Sequence, residues 1–203
     1  GSAADDRGVA APPAAEAAST STPPPALGGL WLAYFLAAFG GLMVIAHAMA
    51  IMTEWQAAPD LAQLAPALNA AGNVAGSILG GWYADRAPGR RALAVPLLVS
   101  VAALAALLAI RDPALSLVML TACGMAYGAL IAAVPVVIRN RFGPARFADA
   151  FGRVFTAWGA AGLAGPLLAG ALFDLRQGYD LAIGIAGFSA LGALLVVRGT
   201  RSR

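Results

Sequence analysis

Few side chains in this sequence can do chemistry, and most of those stand inside long apolar stretches. His47 is the one titratable group within the run from Leu30 to Met52. A histidine so placed either handles a proton or a substrate, or is a neutral ring hydrogen-bonded to a neighbouring helix; both readings stay open. Asn69 and Asn73 are four residues apart, on one face of a helix. They either line a cavity or clip their helix to another. Trp158 is too far along its run to be an interfacial belt residue, and Tyr127 brings a hydroxyl that needs a partner when buried. These five, His47, Asn69, Asn73, Tyr127 and Trp158, are the candidate cavity residues. No catalytic set accompanies them. G-x-x-x-x-G-K-[ST] and H-E-x-x-H are absent, and Ser77, in GSIL, lacks the surroundings of a nucleophile. No cofactor and no metal site are expected, and the lone Cys123 reads as a small packing residue.

The chemistry at the chain's polar breaks is of another kind. The stretch GWYADRAPGRRAL (81–93) packs four charges, a proline and a second glycine between long uncharged runs. Its plainest role is a topological anchor, with Pro88 and Gly89 making the turn.

The elements around these residues follow from composition. The chain has 203 residues, 60% hydrophobic and 11% charged, against about 25% charged in soluble domains. Six apolar runs stand out: Leu30–Met52, Leu61–Ala84, Ala92–Ile110, Ala114–Ile138, Phe151–Phe173 and Leu181–Val197. Each has the length at which an α-helix crosses ~30 Å of hydrocarbon, and they are too long for barrel strands. The spacing therefore predicts an all-α membrane protein of six transmembrane helices (28–197). Residues 1–27, rich in Ala, Pro and Ser, read as a disordered cytoplasmic linker, and 198–203 as a basic cytoplasmic tail. The opening Gly-Ser, without methionine, reads as an appended scar or the start of a fragment.

All thirteen basic residues are arginines. Arg7, Arg86, Arg90, Arg91, Arg139, Arg141, Arg146, Arg153, Arg198, Arg201 and Arg203 fall on one side of the spans, and Arg111 and Arg176 on the other. The asymmetry predicts cytoplasmic termini in a cell (inner) membrane. The net charge of +3 is no nucleic-acid signal, because the arginines alternate with apolar runs instead of sharing a polar face.

A shift of 89 residues lays Gly76, Gly81 and Asp85 on Gly165, Gly170 and Asp174 (GSILGGWYAD against GPLLAGALFD). The two segments would run in opposite directions, which predicts two inverted three-helix repeats. Small-residue faces recur at Gly72, Gly76 and Gly80, at Gly124 and Gly128, and at Gly162, Gly165 and Ala169. Pro166 removes the donor for the Gly162 carbonyl and predicts a kink, and Pro135 is a similar case.

The 81–93 stretch resembles the G-x-x-x-D-R-x-G-R-R/K loop of major facilitator superfamily transporters. Gly81, Asp85, Arg86, Gly89, Arg90 and Arg91 match in order, with one extra residue at Ala87-Pro88. The likeness covers about residues 28–197 and implies the C-terminal six helices of a twelve-helix transporter. In that setting Gly81 admits a close neighbour, Asp85 faces the positive end of a helix in the other half, and the loop acts as a conformational switch. GLMVIAHA (41–48) and the stretch from Phe151 to Ile183, with its G-P-x-x-x-G before F-D, resemble the oxalate/formate antiporter and monocarboxylate-porter group. That group's oxalate members carry a lysine where Trp158 precedes Gly159 here, and an arginine near the position of Asn73. The missing cations leave two options: they lie in the other half, or the substrate is not oxalate-like, and the second is favoured.

The resemblance implies a secondary transporter half that moves a small organic solute by alternating access, a monocarboxylate being the finer reading, coupled to H+ or a counter-substrate. Its partners would be an N-terminal six-helix half or a second copy, and membrane lipid, with no nucleic acid. The alternative is a non-transporting membrane sensor or scaffold of the same fold.

Overall fold

The computed structural model describes residues 25–87 and 89–199. The linker expectation up to residue 24, Pro88 and the tail from residue 200 lie outside these limits; residues 25–27, expected in the linker, instead open α1, and Arg198 and Gly199, expected in the tail, close α7. The described residues form seven helices and no strand: α1 Pro25–Ile45, α2 Ala48–Glu54, α3 Pro59–Arg86, α4 Gly89–Ala109, α5 Pro113–Phe142, α6 Pro144–Arg176 and α7 Asp180–Gly199. Leu27–Ile45, α4, α5, α6 and α7 are each long and apolar enough to cross a membrane.

The first run expected as one span is broken, and His47 breaks it. The His47 N–H bonds to the Val44 carbonyl, one residue short of the α-helical ladder. The Met43 carbonyl that it would have used lies 3.1 Å from the ring Nδ1 of His47, which must carry its proton to donate. The side chain thus replaces its own backbone in the ladder, and α2 restarts at Ala48. The run expected as the second span forms α3, 28 residues long. It is about 42 Å by helical rise, yet Gln63, Asn69, Asn73 and its glycines keep it out of the strongly apolar set.

Proline opens helices where its missing donor costs nothing: Pro59, Pro113 and Pro144 each stand in a first turn. Asp112 caps α5, its Oδ1 accepting from Leu115 N at 2.9 Å. One residue, Gly143, with φ of 75°, joins α5 to α6. A left-handed backbone suits glycine and stops α5. Both helices therefore reach well past the predicted ends of their spans, taking Arg139, Arg141 and Arg146 onto helical faces. α6 continues through Pro166 as a single helix.

The turns α3–α4, α5–α6 and α6–α7 join helices that touch little, whereas α4 packs on α5 across its short turn; the extensive packings are α3 on α5, α1 on α6 and α7, and α4 on α5 and α7. α3 and α5 run parallel. A Cβ on Gly72, Gly76 or Gly80 would strike the backbone of Thr121, Met125 or Ala129, and one on Gly124 or Gly128 would strike that of Asn69 or Asn73. Such backbone contact is how helices bind one another where lipid removes the hydrophobic drive. α1 and α6 also run parallel, with Gly165 against the Phe39 carbonyl and Trp31 hydrogen-bonded to Thr156. Two buried clusters result. One, at the arginine-rich end, includes Tyr34, Leu97, Ile138 and Val154; the other, at the opposite end, includes Met43, Ile51, Leu107 and Ile183. The outer faces stay apolar: Ile78 is 68% exposed, Leu163 68% and Phe188 77%, a surface that water does not tolerate in a compact chain.

Candidate functional site

Midway between the two clusters lies a third, small one of Ala38, Tyr127 and Ala161, flanked by Phe35, Phe39, Leu42 and Trp158. Its polar centre is a single hydrogen bond: Trp158 Nε1 donates to Tyr127 Oη at 2.6 Å. Two candidates from different helices, α6 and α5, are thus brought together. Gly41 of α1 makes the room, since a Cβ there would stand 3.0 Å from the Tyr127 ring.

Aromatic rings extend from this pair toward the arginine-rich end. Along α6, Trp158 stacks on Phe155, Phe155 on Phe151 and Phe151 on Phe147. Along α1, Trp31 stacks on Phe35 and Phe35 on Phe39, and Trp31 Nε1 donates across to Thr156 Oγ1 at 2.9 Å. These ladders were not singled out from the sequence, although their four-residue spacing is a readable signal. The nearest cation along α6, Arg153, pairs with Asp149 at 3.0 Å. The arrangement offers neutral donors and ring faces.

The other candidates lie elsewhere. Asn69 is 3% exposed, and its Nδ2 donates to the Leu120 carbonyl of α5 at 2.8 Å, which makes it an interhelical clip. Asn73 is half-buried. Its Oδ1 lies 3.5 Å from Ser77 Oγ, which also reaches the Gly128 carbonyl at 3.3 Å. Both asparagines belong to the α3–α5 seam, and no hydrogen bond joins them to Trp158.

His47 sits near the end remote from most arginines and not deep in a span. Its ring lies 5.4 Å from that of Tyr179, just ahead of α7. The Tyr179 N–H points to Glu54 Oε2 at 3.3 Å. Burial first, and the carboxylates of Glu54 and Asp174 second, push the Tyr179 phenol above its ordinary value. Beside this group Arg111 pairs with Asp180 at 2.8 Å and covers the Trp55 ring at 5.0 Å.

In the switch-loop motif, Asp85 finds a partner within this chain: Arg139 of α5, at 3.7 Å, with both side chains more than half exposed. Such a pair is weak and screened. Arg86 folds back, donating to the Trp82 carbonyl at 3.0 Å and lying over its ring at 4.4 Å. Gly81 does not provide the close approach expected of it. A Cβ there would stand an ordinary 3.7 Å from Ala132, because Gly80, not Gly81, faces α5. Gly89 opens α4, with Val137 an ordinary 3.6 Å from where a Cβ would be. Arg90 and Arg91 are exposed in its first turn.

Of the α6 group, Gly165 makes a close approach, its would-be Cβ 2.8 Å from the Phe39 carbonyl. Gly162 meets only Leu42, at 3.6 Å, and Gly170 meets nothing within 4 Å. Pro166 lies inside an unbroken helix, and Asp174 is exposed near its end.

Long apolar helices, apolar outer faces and a polar contact sealed between packed layers define a multi-pass membrane protein. The chain belongs to the Major Facilitator Superfamily, whose family model matches residues 30–203. A search of curated proteins finds no match. The family is one of transporters of small solutes and not of enzymes.

Proposed function

We propose that this chain is the six-helix half of a secondary transporter, moving a small organic solute by alternating access with the Tyr127–Trp158 pair on its solute path. The observation that carries the reading is the position of that hydrogen bond. It joins α5 to α6 at mid-height, between two close-packed clusters, where a polar pair in a membrane domain is expected to serve function.

In this reading α1 with α2 forms one broken span, and α3 a sixth whose polarity is compensated by its seam with α5. The inverted repeat draws support from the packing: α3 on α5 has its counterpart in α6 on α1, and α4 on α5 in α7 on α1. Gly76 and Gly165, matched by the 89-residue shift, both make close backbone approaches. The arginine-rich end is cytoplasmic and the membrane is the inner one, on the arginine asymmetry. A second half, N-terminal or another copy, completes the path and covers part of the apolar outer face.

The solute is neutral or weakly charged, since ring faces surround the pair and the donor it has left to offer, the Tyr127 hydroxyl, is neutral. A monocarboxylate fits less well, and a dicarboxylate would go uncompensated on this side. Coupling is to H+ or to a counter-substrate.

The test is uptake by proteoliposomes holding this half with its complement, across a panel of radiolabelled monocarboxylates and neutral aromatic solutes. Saturable uptake lost in Trp158→Ala is the expected result. Solute-induced conformational change with no flux for any solute would instead favour the sensor or scaffold.

A further inference from the structure

We propose that the arginine-rich end holds a site for a net-negative phosphate ester on an apolar body, the chemistry of an anionic phospholipid headgroup. The site is a cavity of about 190 Å³ where α1, α4, α5 and α7 meet. Arg90 of α4 and Asn140 and Arg141 of α5 form its polar part, and Leu30, Leu93 and Val137 its apolar walls. It shares no residue with the Tyr127–Trp158 cluster.

The two arginines stand in one cavity with no counter-charge among the described residues. Two carboxylates are described at this end, and both are engaged elsewhere: Asp85 with Arg139 and Asp149 with Arg153. Neither Arg90 nor Arg141 makes an ion pair within the described residues. Planar guanidinium forks match phosphate oxygens two at a time, and the cavity is also lined by Gly89 and Arg90, at the positive end of α4.

Size and floor narrow the class. Pockets that enclose a whole small molecule run from roughly 300 Å³ upward, so this one takes a headgroup and leaves the rest of its ligand outside. Beneath it an apolar cleft of about 10 Å³ shares Leu30, Ala33, Leu93 and Val197 with the cavity. That cleft has room for about one water, so the apolar body lies against the walls at the mouth; cations beside Leu30, Leu93 and Val137 favour an anion attached to an apolar body over a free hydrated ion. Basic pockets between membrane helices on the cytoplasmic side bind such headgroups.

The test titrates the full chain in detergent with phosphatidylglycerol, with phosphatidylcholine and with glycerol 3-phosphate as the soluble arm. Bound molecules are counted by native mass spectrometry and melting is followed alongside. Phosphatidylglycerol should be retained in preference to phosphatidylcholine. Arg90→Gln and Arg141→Gln should each weaken retention about fivefold, and together about 30-fold, with lipid-free melting unchanged. Arg176→Gln, at the opposite end, should change nothing. Arginine-dependent binding of the lipid alone supports a leaflet source; equal, arginine-dependent binding of glycerol 3-phosphate supports the same site with a soluble source. Retention blind to headgroup charge, or unchanged in the double variant, overturns the proposal. If the double variant does not fold, Arg141→Gln alone decides. The readout is binding and not flux, so it stands apart from the transport reading.

Discussion

The two parallel seams of the molecule are built differently, with five close-packed glycines in one and a single close-packed glycine between ring-bearing helices in the other. α3 meets α5 through Gly72, Gly76, Gly80, Gly124 and Gly128, backbone against backbone, with Asn69 and Ser77 bonding directly to carbonyls of α5. α1 meets α6 through Gly165 against the Phe39 carbonyl and through the Trp31–Thr156 hydrogen bond, and each of the two helices carries a stack of rings along its own length. A glycine seam has one geometry, since nothing in it can rotate away. Rings can tilt and slide past one another at small cost. The contrast predicts that α3–α5 is the more rigid pair and α1–α6 the pair better able to adjust around a guest.

Substitutions can break that contrast in order of expected size. Gly76→Leu forces a side chain into the Met125 backbone and should cost well over ~3 kcal/mol, seen as loss of monodisperse protein in detergent. Gly162→Leu, facing only a Leu42 methyl, should leave a folded protein; equal damage from both would erase the distinction. Asn69→Leu removes a buried donor from the Leu120 carbonyl and should lower stability by about 1–2 kcal/mol, measured by thermal melting. Trp158→Phe keeps the stack on Phe155 and loses one hydrogen bond. Its stability cost should be about 0.6–1.7 kcal/mol, with solute affinity falling severalfold. A double-mutant cycle with Tyr127→Phe should show that the two costs do not add. Asp85→Asn should slow conformational exchange of the reconstituted transporter, read by spectroscopic labels, while solute affinity stays within a few fold. A large affinity loss with normal exchange would contradict the switch role. Smallest of all, Gly170→Ala meets open space and should shift melting by less than about 1 kcal/mol, toward greater stability.

Much of this was legible in the sequence, because the membrane imposes length. Runs such as Ala114–Ile138 and Leu181–Val197 lie within the helices they predict. The ends were less legible. Arg139, Arg141 and Arg146 looked like a loop by charge, yet they are helical, since Gly143 and not the arginines stops α5. The break at His47 was hidden because the residue supplies its own ring to the Met43 carbonyl, and no proline or glycine advertises it. Gly80 and Gly81 are indistinguishable by spacing alone, and only the direction of α5 decides between them. Asn69 and Trp158 fall on each other in the 89-residue shift, yet one ties a seam and the other meets a phenol. Which partner faces each depends on helices that composition cannot orient.

Gly143 has a mechanical consequence. It is the sole residue between α5, which belongs to the glycine seam, and α6, which carries a ring stack along its own length. A hinge of one residue followed by proline stores almost no slack. If α6 swings to let a guest pass, its base is pinned to the rigid pair, so the motion must be a lever stroke about that corner, with its largest travel at the far tip near Asp174.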